Sequence, residues 1–131
     1  MRVITLKQPW ATLVAEGIKK YEFRSWKTKY RGKILIHAGA GVDKREMNKF
    51  SDLNLTFPTK KIIAVVDIED CLKLDDDLNK KIIAENNIAY GDKYRDGYVW
   101  KLSNVKKLNI NNIVNGKLGL WNYDIDYTKY F

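Results

Sequence analysis

The run Ile62-Ile63-Ala64-Val65-Val66-Asp67-Ile68-Glu69 constrains the fold most, because it is nearly continuously apolar and rich in β-branched residues. Such side chains favour extended backbone, and a strand that is apolar on both faces is buried on both faces. The sequence therefore predicts a strand over 62–69 in the middle of a sheet. A chain of 131 residues can enclose such a sheet, so we expect a single domain over 1–131.

Shorter elements flank this central strand in the sequence. The apolar pattern predicts the order β-α-β-β-α-β-α-β-β. A doubly wound parallel sheet needs more crossover helices, so we expect an α+β fold: a small mixed β-barrel with flanking short helices. We expect Tyr98, Trp100 and Leu102 to fill the barrel interior, with Tyr98 nearest its mouth. The predicted strands are 2–6, 20–25, 33–38, 62–69, 98–102 and a short one ending near Trp121, and the predicted helices are 8–16, 44–53 and one that starts at 75–77.

Three ionisable side chains follow the glycine that ends the first predicted helix. Glu22 and Arg24 alternate with apolar neighbours on the second predicted strand, so their side chains point the same way. Lys19 stands at the entrance of that strand and can reach the same place. A carboxylate between two cations is either a structural ion-pair cluster or a binding site, and the pattern leaves both interpretations open.

Positive charge is concentrated beside this stretch. The chain has a net charge of +8, and residues 19–33 hold seven cationic side chains and one anionic side chain. Aromatic residues such as Trp26 are interleaved with them, a combination that suits a polyanion that also presents flat bases. A solvated basic loop is the alternative. We favour nucleic acid because the charge is clustered, and we expect the nucleic-acid backbone to contact four cations: Lys27, Lys29, Arg31 and Lys33.

The sequence predicts neither a metal site nor a cofactor. Cys71 and His37 are the single cysteine and the single histidine, which excludes an internal disulfide and argues against a zinc site of finger type. The acidic residues between 67 and 77 lack the spacing of a calcium loop. Gly39-Ala40-Gly41 lacks the full dinucleotide fingerprint, so we expect a turn there. We expect His37 to be a hydrogen-bonded structural residue, with proton transfer as its alternative role.

The sequence also carries expectations about location. Residues 1–6 become polar too early for a signal peptide, and no apolar run approaches the roughly 20 residues that span a bilayer. With a single cysteine, these features favour a cytoplasmic protein with no membrane partner. We favour a monomer.

Several motifs together resemble the ASCH (activating-signal-cointegrator homology) domain. They are Gln8-Pro9-Trp10-Ala11, then Gly17-x-Lys19-x-x-Glu22-x-Arg24, then Arg31-Gly32 with a strand to His37-Ala38, and later Tyr98-x-Trp100-x-Leu102 and Gly116-Lys117-Leu118-Gly119-Leu120-Trp121. The resemblance covers nearly the whole chain. It implies a PUA-like β-barrel with a cleft lined by Lys19, Glu22 and Arg24, in a superfamily whose members bind RNA or modified bases.

The resemblance also implies possible activities. Some small members resemble N4-acetylcytidine amidohydrolases, which use a lysine, a threonine nucleophile and a glutamate. The lysine falls on Lys19, but the threonine position falls on Glu22, so that nucleophile is absent here. Other members are associated with RNA cleavage or with nucleic-acid binding.

Three interpretations follow for the cleft. In the one we favour, single-stranded RNA or a modified base binds at Lys19, Glu22 and Arg24, and an aromatic side chain stacks on the base. In the second, the chain is a hydrolase that acts on RNA or a modified nucleoside, with Lys19 and Glu22 as catalytic residues and Glu22 or His37 moving protons. In the third, Glu22 is only a structural counter-ion. The stacking candidates are Trp26, Tyr98 and Trp121.

Overall fold

The computed structural model describes residues 1–91 and 93–131. Within these residues the chain forms one six-stranded sheet and four short α-helices. The strands are β1 (Arg2–Gln8), β2 (Tyr21–Arg24), β3 (Gly32–Val42), β4 (Lys61–Lys73), β5 (Tyr98–Lys107) and β6 (Leu120–Asn122). The helices are α1 (Trp10–Ala15), α2 (Lys44–Asn48), α3 (Asp76–Glu85) and α4 (Asn87–Tyr90).

The sheet has the order β2-β5-β4-β3-β1-β6. β1 and β3 run parallel, and the other neighbouring strands pair antiparallel. β4 lies inside the sheet, between β3 and β5, which confirms the prediction drawn from its β-branched run. It is longer than predicted, because its acidic second half continues to pair with β5 as far as Lys73.

The sheet is open, so the predicted closed barrel is wrong. β2 and β6 are its two edges, and they do not pair with each other in the described part of the chain. Both are short, with four and three residues. Instead of a closing ladder, the Arg24 guanidinium donates from β2 to the backbone oxygen of Thr5 on β1, over 3.0 Å. The edge strand β2 therefore contacts β1 through this side chain and not through a strand ladder in the described residues.

Both faces of the sheet are covered, which explains why its inner strands are apolar throughout. Ile34 and Ile36 lie in one core cluster with Val14 of α1, whereas the intervening Leu35 lies in a second cluster under the C-terminal segment. Of the residues predicted to fill a barrel, Trp100 and Leu102 are in the first cluster, and Tyr98 is only half-buried. No helix in the described residues is long and apolar enough to cross a membrane.

Element boundaries differ from prediction in two places near the site. β3 continues through the glycines at 39 and 41 to Val42, where we predicted a turn, because β1 continues to pair with it. α2 ends at Asn48 instead of residue 53. Asp43 caps the start of α2, since its side chain accepts a hydrogen bond from the backbone N–H of Glu46.

Candidate functional site

A cavity of about 500 Å³ opens where the sheet fails to close. Its walls come from the end of β1, the first residue of α1, the edge strand β2 and the glycine-rich end of β3. Arg95, from the segment before β5, and Leu118, from the segment before β6, complete it. The site therefore joins pieces of chain that are far apart in sequence.

The turn after α1 directs Lys19 into this cavity. Gly17 adopts φ +74°, a left-handed conformation that favours glycine and ends the helix. The backbone N–H groups of Ile18 and Lys19 both donate to the oxygen of Leu13, at 2.9 and 3.0 Å. The chain thus turns back on the helix end, and Lys19 is left only 3% exposed.

The motif at the start of α1 holds the opposite wall. The side-chain oxygen of Gln8 accepts from the backbone N–H of Thr12 at 3.0 Å, and its amide donates to the Thr12 hydroxyl at 2.8 Å. The same amide donates to the backbone oxygen of Pro58 at 2.7 Å. Gln8 is fully buried, so these bonds fix the first turn of α1 and place Trp10 at the cavity.

Lys19, Glu22 and Arg24 form one hydrogen-bonded ion network. The Lys19 ammonium donates to Glu22 Oε1 at 2.8 Å and to the backbone oxygen of Tyr21 at 2.6 Å. The Arg24 guanidinium donates to Glu22 Oε2 at 3.1 Å. Glu22 Oε1 also accepts from the backbone N–H of Phe23 at 3.2 Å. The structure therefore brings together the three residues predicted to meet.

Burial and charge act against each other in this network. Burial opposes ionisation of Glu22, but the two neighbouring cations outweigh it, so the pKa of Glu22 lies below its ordinary value. Burial lowers the pKa of Lys19, and the attraction of Glu22 only partly offsets that effect. Removing one partner would leave the other charge buried and unpaired.

Arg95 is a site residue that the sequence did not indicate. Its guanidinium lies 4.2 Å from the centre of the Phe23 ring, and it donates to the backbone oxygen of Tyr90 at 2.7 Å. The buried Asn79 side chain holds the backbone of Arg95 through two hydrogen bonds, at 2.8 and 2.9 Å. Burial lowers the pKa of Arg95, which still carries its positive charge.

The resulting cavity is positively charged. Among the described residues that line it, Glu22 is the one carboxylate. The cations that line it are Lys7, Lys19, Arg24 and Arg95. Such a cavity attracts an anionic ligand, while the single carboxylate can accept a hydrogen bond from that ligand.

The predicted stacking residues are not part of this wall. Trp26 lies edge-on against Trp100, with ring centres 5.0 Å apart. Trp121 is buried in the second core cluster, and its indole N–H donates to the Thr5 hydroxyl at 3.1 Å. Tyr98 lies under the Lys73 ammonium, which is 5.5 Å from its ring centre. Ligand stacking on Trp26, Tyr98 or Trp121 stays a prediction.

Acidic residues of β4 face part of the predicted backbone-binding loop. Arg31 approaches Asp70 at 3.5 Å, and Lys33 approaches Asp67 at 3.3 Å, in exposed ion pairs. Lys27 and Lys29 are also exposed, and neither forms an ion pair in the part of the chain that the structure describes. The phosphate-binding role of these four cations stays a prediction.

His37 lies in a buried polar contact behind the cavity wall. Its Nε2 is 2.6 Å from the backbone oxygen of Val114, so this nitrogen carries the proton. Its Nδ1 is therefore free to accept from the Thr5 hydroxyl, 3.1 Å away. Burial lowers the pKa of His37, which keeps the ring neutral at pH 7. Thr5 itself lines the cavity.

The described residues contain no group of three His, Cys, Asp or Glu side chains that could hold a metal ion.

Comparison with known proteins identifies the family. The model for the ASCH domain matches residues 4–112. The chain belongs to the ASCH domain family. This ASCH domain is 34% identical to human activating signal cointegrator 1 over 83 residues, which are 53% of the chain and 14% of that protein. It is 26% identical to the mouse protein of the same name over 136 aligned residues, covering 92% of the chain and 22% of that protein.

Solved structures share the fold of the domain. The crystal structure of ASCH from Zymomonas mobilis matches with a TM-score of 0.53 and 17% identity, over 87% of this chain and 72% of that one. A serine-to-alanine mutant of that Zymomonas mobilis protein matches with a TM-score of 0.59 and 16% identity, over 98% of this chain and 91% of the mutant chain. The family resemblance seen in the motifs is thus confirmed by sequence and by fold.

Proposed function

We propose that this ASCH domain binds single-stranded RNA and takes one nucleotide into the cavity between β1 and β2. The observation that carries the proposal is the composition of the cavity wall, in which one carboxylate stands among four cations. A volume of about 500 Å³ falls within the range of small-ligand sites. The net charge of +8 adds long-range attraction for a polyanion.

The ion network supports a division of roles. Glu22 Oε2 accepts one hydrogen bond within the described residues, from Arg24, so it can also accept from an exocyclic amine or a ring N–H of a base. Lys7 and Arg95 also line the cavity but do not hydrogen-bond to Glu22, so they can bind phosphate oxygens. Lys19 and Arg24 hold the carboxylate in a fixed orientation for the base.

Apolar side chains at the cavity support a base as well as a phosphate. Trp10 and Leu6 line the interior, and Leu118 stands at the wall with 99% of its surface exposed. An exposed leucine there gains free energy when a flat apolar surface covers it. Bases in a duplex are stacked and paired, so an unpaired strand delivers a base to such a cavity at lower cost.

The test is a titration of fluorescent single-stranded RNA, about 12 nucleotides long, over a series of salt concentrations. We expect affinity to fall as salt rises. Glu22→Gln should reduce the discrimination among homopolymers of the four bases, because an amide replaces the carboxylate that accepts from the base. The salt slope should stay unchanged, because Lys7 and Arg95 still meet the phosphates. Lys29→Ala should lower the salt slope instead. Glu85→Gln, a change at an exposed carboxylate that lines neither this cavity nor any binding surface proposed for it, is the control. Salt-independent affinity would overturn the proposal.

One contact favours a second candidate function, hydrolysis of RNA or of a modified nucleoside. Thr5 donates its hydroxyl proton to the neutral His37 imidazole, whose other nitrogen is oriented by Val114. A hydroxyl bonded to an oriented base is the arrangement of an activated nucleophile. The test is turnover of short RNAs and modified nucleosides by the wild type and Thr5→Ser, which keeps the hydroxyl, against Thr5→Val, which does not. Equal turnover by Thr5→Val would exclude this role.

A further inference from the structure

A second cavity, of about 370 Å³, shares the Lys19 wall with the first. It lies between the end of α1, β4 and β5, and its walls are mainly apolar. Val14, Val66, Leu102 and Val105 form those walls, and the exposed Lys20 and Lys101 lie at its rim. The buried side chain of Lys19 is therefore part of both cavities.

An irregularity in the sheet creates this space. The pairing of β4 with β5 shifts register twice, between Val65 and Asp67 and between Ile68 and Asp70. Asn104 of β5 adopts φ +51° nearby. Such bulges bend a strand away from its neighbour. Gly17 has no side chain at this wall, whereas a Cβ there would be in van der Waals contact with Val105, at 3.8 Å.

The chemistry of the second cavity resembles that of a base-binding slot. Apolar walls suit the faces of a nucleobase, and Ser103 and Asn104 offer polar groups at its edge. The Lys101 ammonium pairs with Glu69 at 3.4 Å, but both side chains are about half exposed, so this pair is weak and leaves the cation available to phosphate. Lys20 forms no ion pair within the described residues.

We propose that the second cavity binds the base of a neighbouring nucleotide on the same single-stranded RNA, with Lys20 and Lys101 on its phosphates. The proposal rests on the proposed function of the first cavity. Both nucleotides belong to one RNA strand, because a single side chain, Lys19, separates the two cavities. The domain then recognises two nucleotides, one through the carboxylate of Glu22 and one through an apolar slot.

The experiment fills the second cavity without touching the first. Val105→Phe places a ring in the apolar slot, and Ile113→Phe is the matched control, because Ile113 is 76% exposed and lines neither cavity. We expect Val105→Phe to weaken binding of an RNA oligonucleotide about tenfold, and to leave the affinity for single mononucleotides in the first cavity unchanged. Ile113→Phe should change neither affinity. Equal RNA affinity of Val105→Phe and wild type overturns the proposal.

If Val105→Phe folds poorly and loses mononucleotide binding too, a second variant tests the proposal. The double variant Lys20→Gln/Lys101→Gln changes only exposed side chains. It should lower the salt slope of RNA binding by about 1.4. An unchanged slope overturns the second subsite, while the wild type still binds RNA. Failure of the proposed function looks different, because the wild-type domain then shows no salt-dependent RNA binding at all.

Discussion

The domain has two basic regions that differ in how their charges are held. In the cavity, Lys19 and Arg24 are bound to a buried carboxylate, and Lys7 and Arg95 join them from other segments. In the loop after β2 and the start of β3, the cations are exposed, and two of the four face aspartates of β4. The loop has four cations and two facing aspartates, and four cations surround one carboxylate in the cavity, so the cavity keeps the larger excess of positive charge.

The two regions should therefore differ in how much their ion pairs contribute to the free energy of unfolding. A buried charge that loses its partner is strongly destabilising, whereas an exposed ion pair contributes about 0–1 kcal/mol. The cavity should therefore govern both stability and ligand recognition, and the loop should govern only long-range attraction.

Glu22→Ala should give the largest effect. It leaves the Lys19 ammonium, 3% exposed, without its counter-ion, so we expect the free energy of unfolding to fall by about 3–5 kcal/mol. The measurement is urea denaturation at pH 7. Glu69→Ala, which removes an exposed partner of Lys101, should cost less than about 1 kcal/mol. Equal losses for the two variants would show that the cavity network is not a buried ion pair.

The same network should make stability sensitive to acid. The pKa of Glu22 lies below its ordinary value of 4.5, because its two cations outweigh burial. As pH falls below about 4.5, the unfolded chain takes up the proton first, so stability is lost as pH falls through the folded-state pKa. Glu22→Gln should flatten this dependence. Asp67→Asn is the comparison. The pKa of Asp67 also lies below its ordinary value, but the main cause is a hydrogen bond from Asn104 and not a buried ion pair.

Arg95→Met should give the second-largest effect, on RNA affinity. Methionine can still pack on Phe23 but cannot meet a phosphate, so we expect affinity to fall about tenfold to a hundredfold and the salt slope to fall by about 0.7. The matched loop variant, Arg31→Met, removes an exposed cation that lines neither cavity. We expect its affinity to stay within about twofold of the wild type. A larger loss of affinity from Arg31→Met than from Arg95→Met would show that RNA binds at the loop and not in the cavity.

Leu118→Ala should give the smallest effect. It removes apolar surface at the cavity, so we expect RNA affinity to fall about fivefold to tenfold with no change in salt slope. Ile113→Ala, on the same segment and outside the cavity, is the control and should leave affinity unchanged. Thermal unfolding should be nearly equal for both variants, because both side chains are exposed. Equal affinities of both variants and wild type would mean that Leu118 does not touch the ligand.

Prediction from sequence succeeded where the signal was local. Glu22 and Arg24 share a face because side chains on a strand alternate with a period of two, and Lys19 joins them across one glycine turn. It failed for Arg95, which has no neighbouring motif and reaches the site through Asn79 and Tyr90. It also failed for the closed barrel, because the lengths of the edge strands β2 and β6 depend on long-range pairing.

The sequence by itself determined the family, the buried central strand and the ion network at Lys19, Glu22 and Arg24, since each depends on neighbouring residues. Only the tertiary structure decided that the sheet stays open and that Arg24 binds the backbone of Thr5 across the gap. It alone decided that Asp70 faces Arg31 while Arg95 stays in the cavity. These are contacts between distant segments, which the sheet topology sets and local periodicity does not encode.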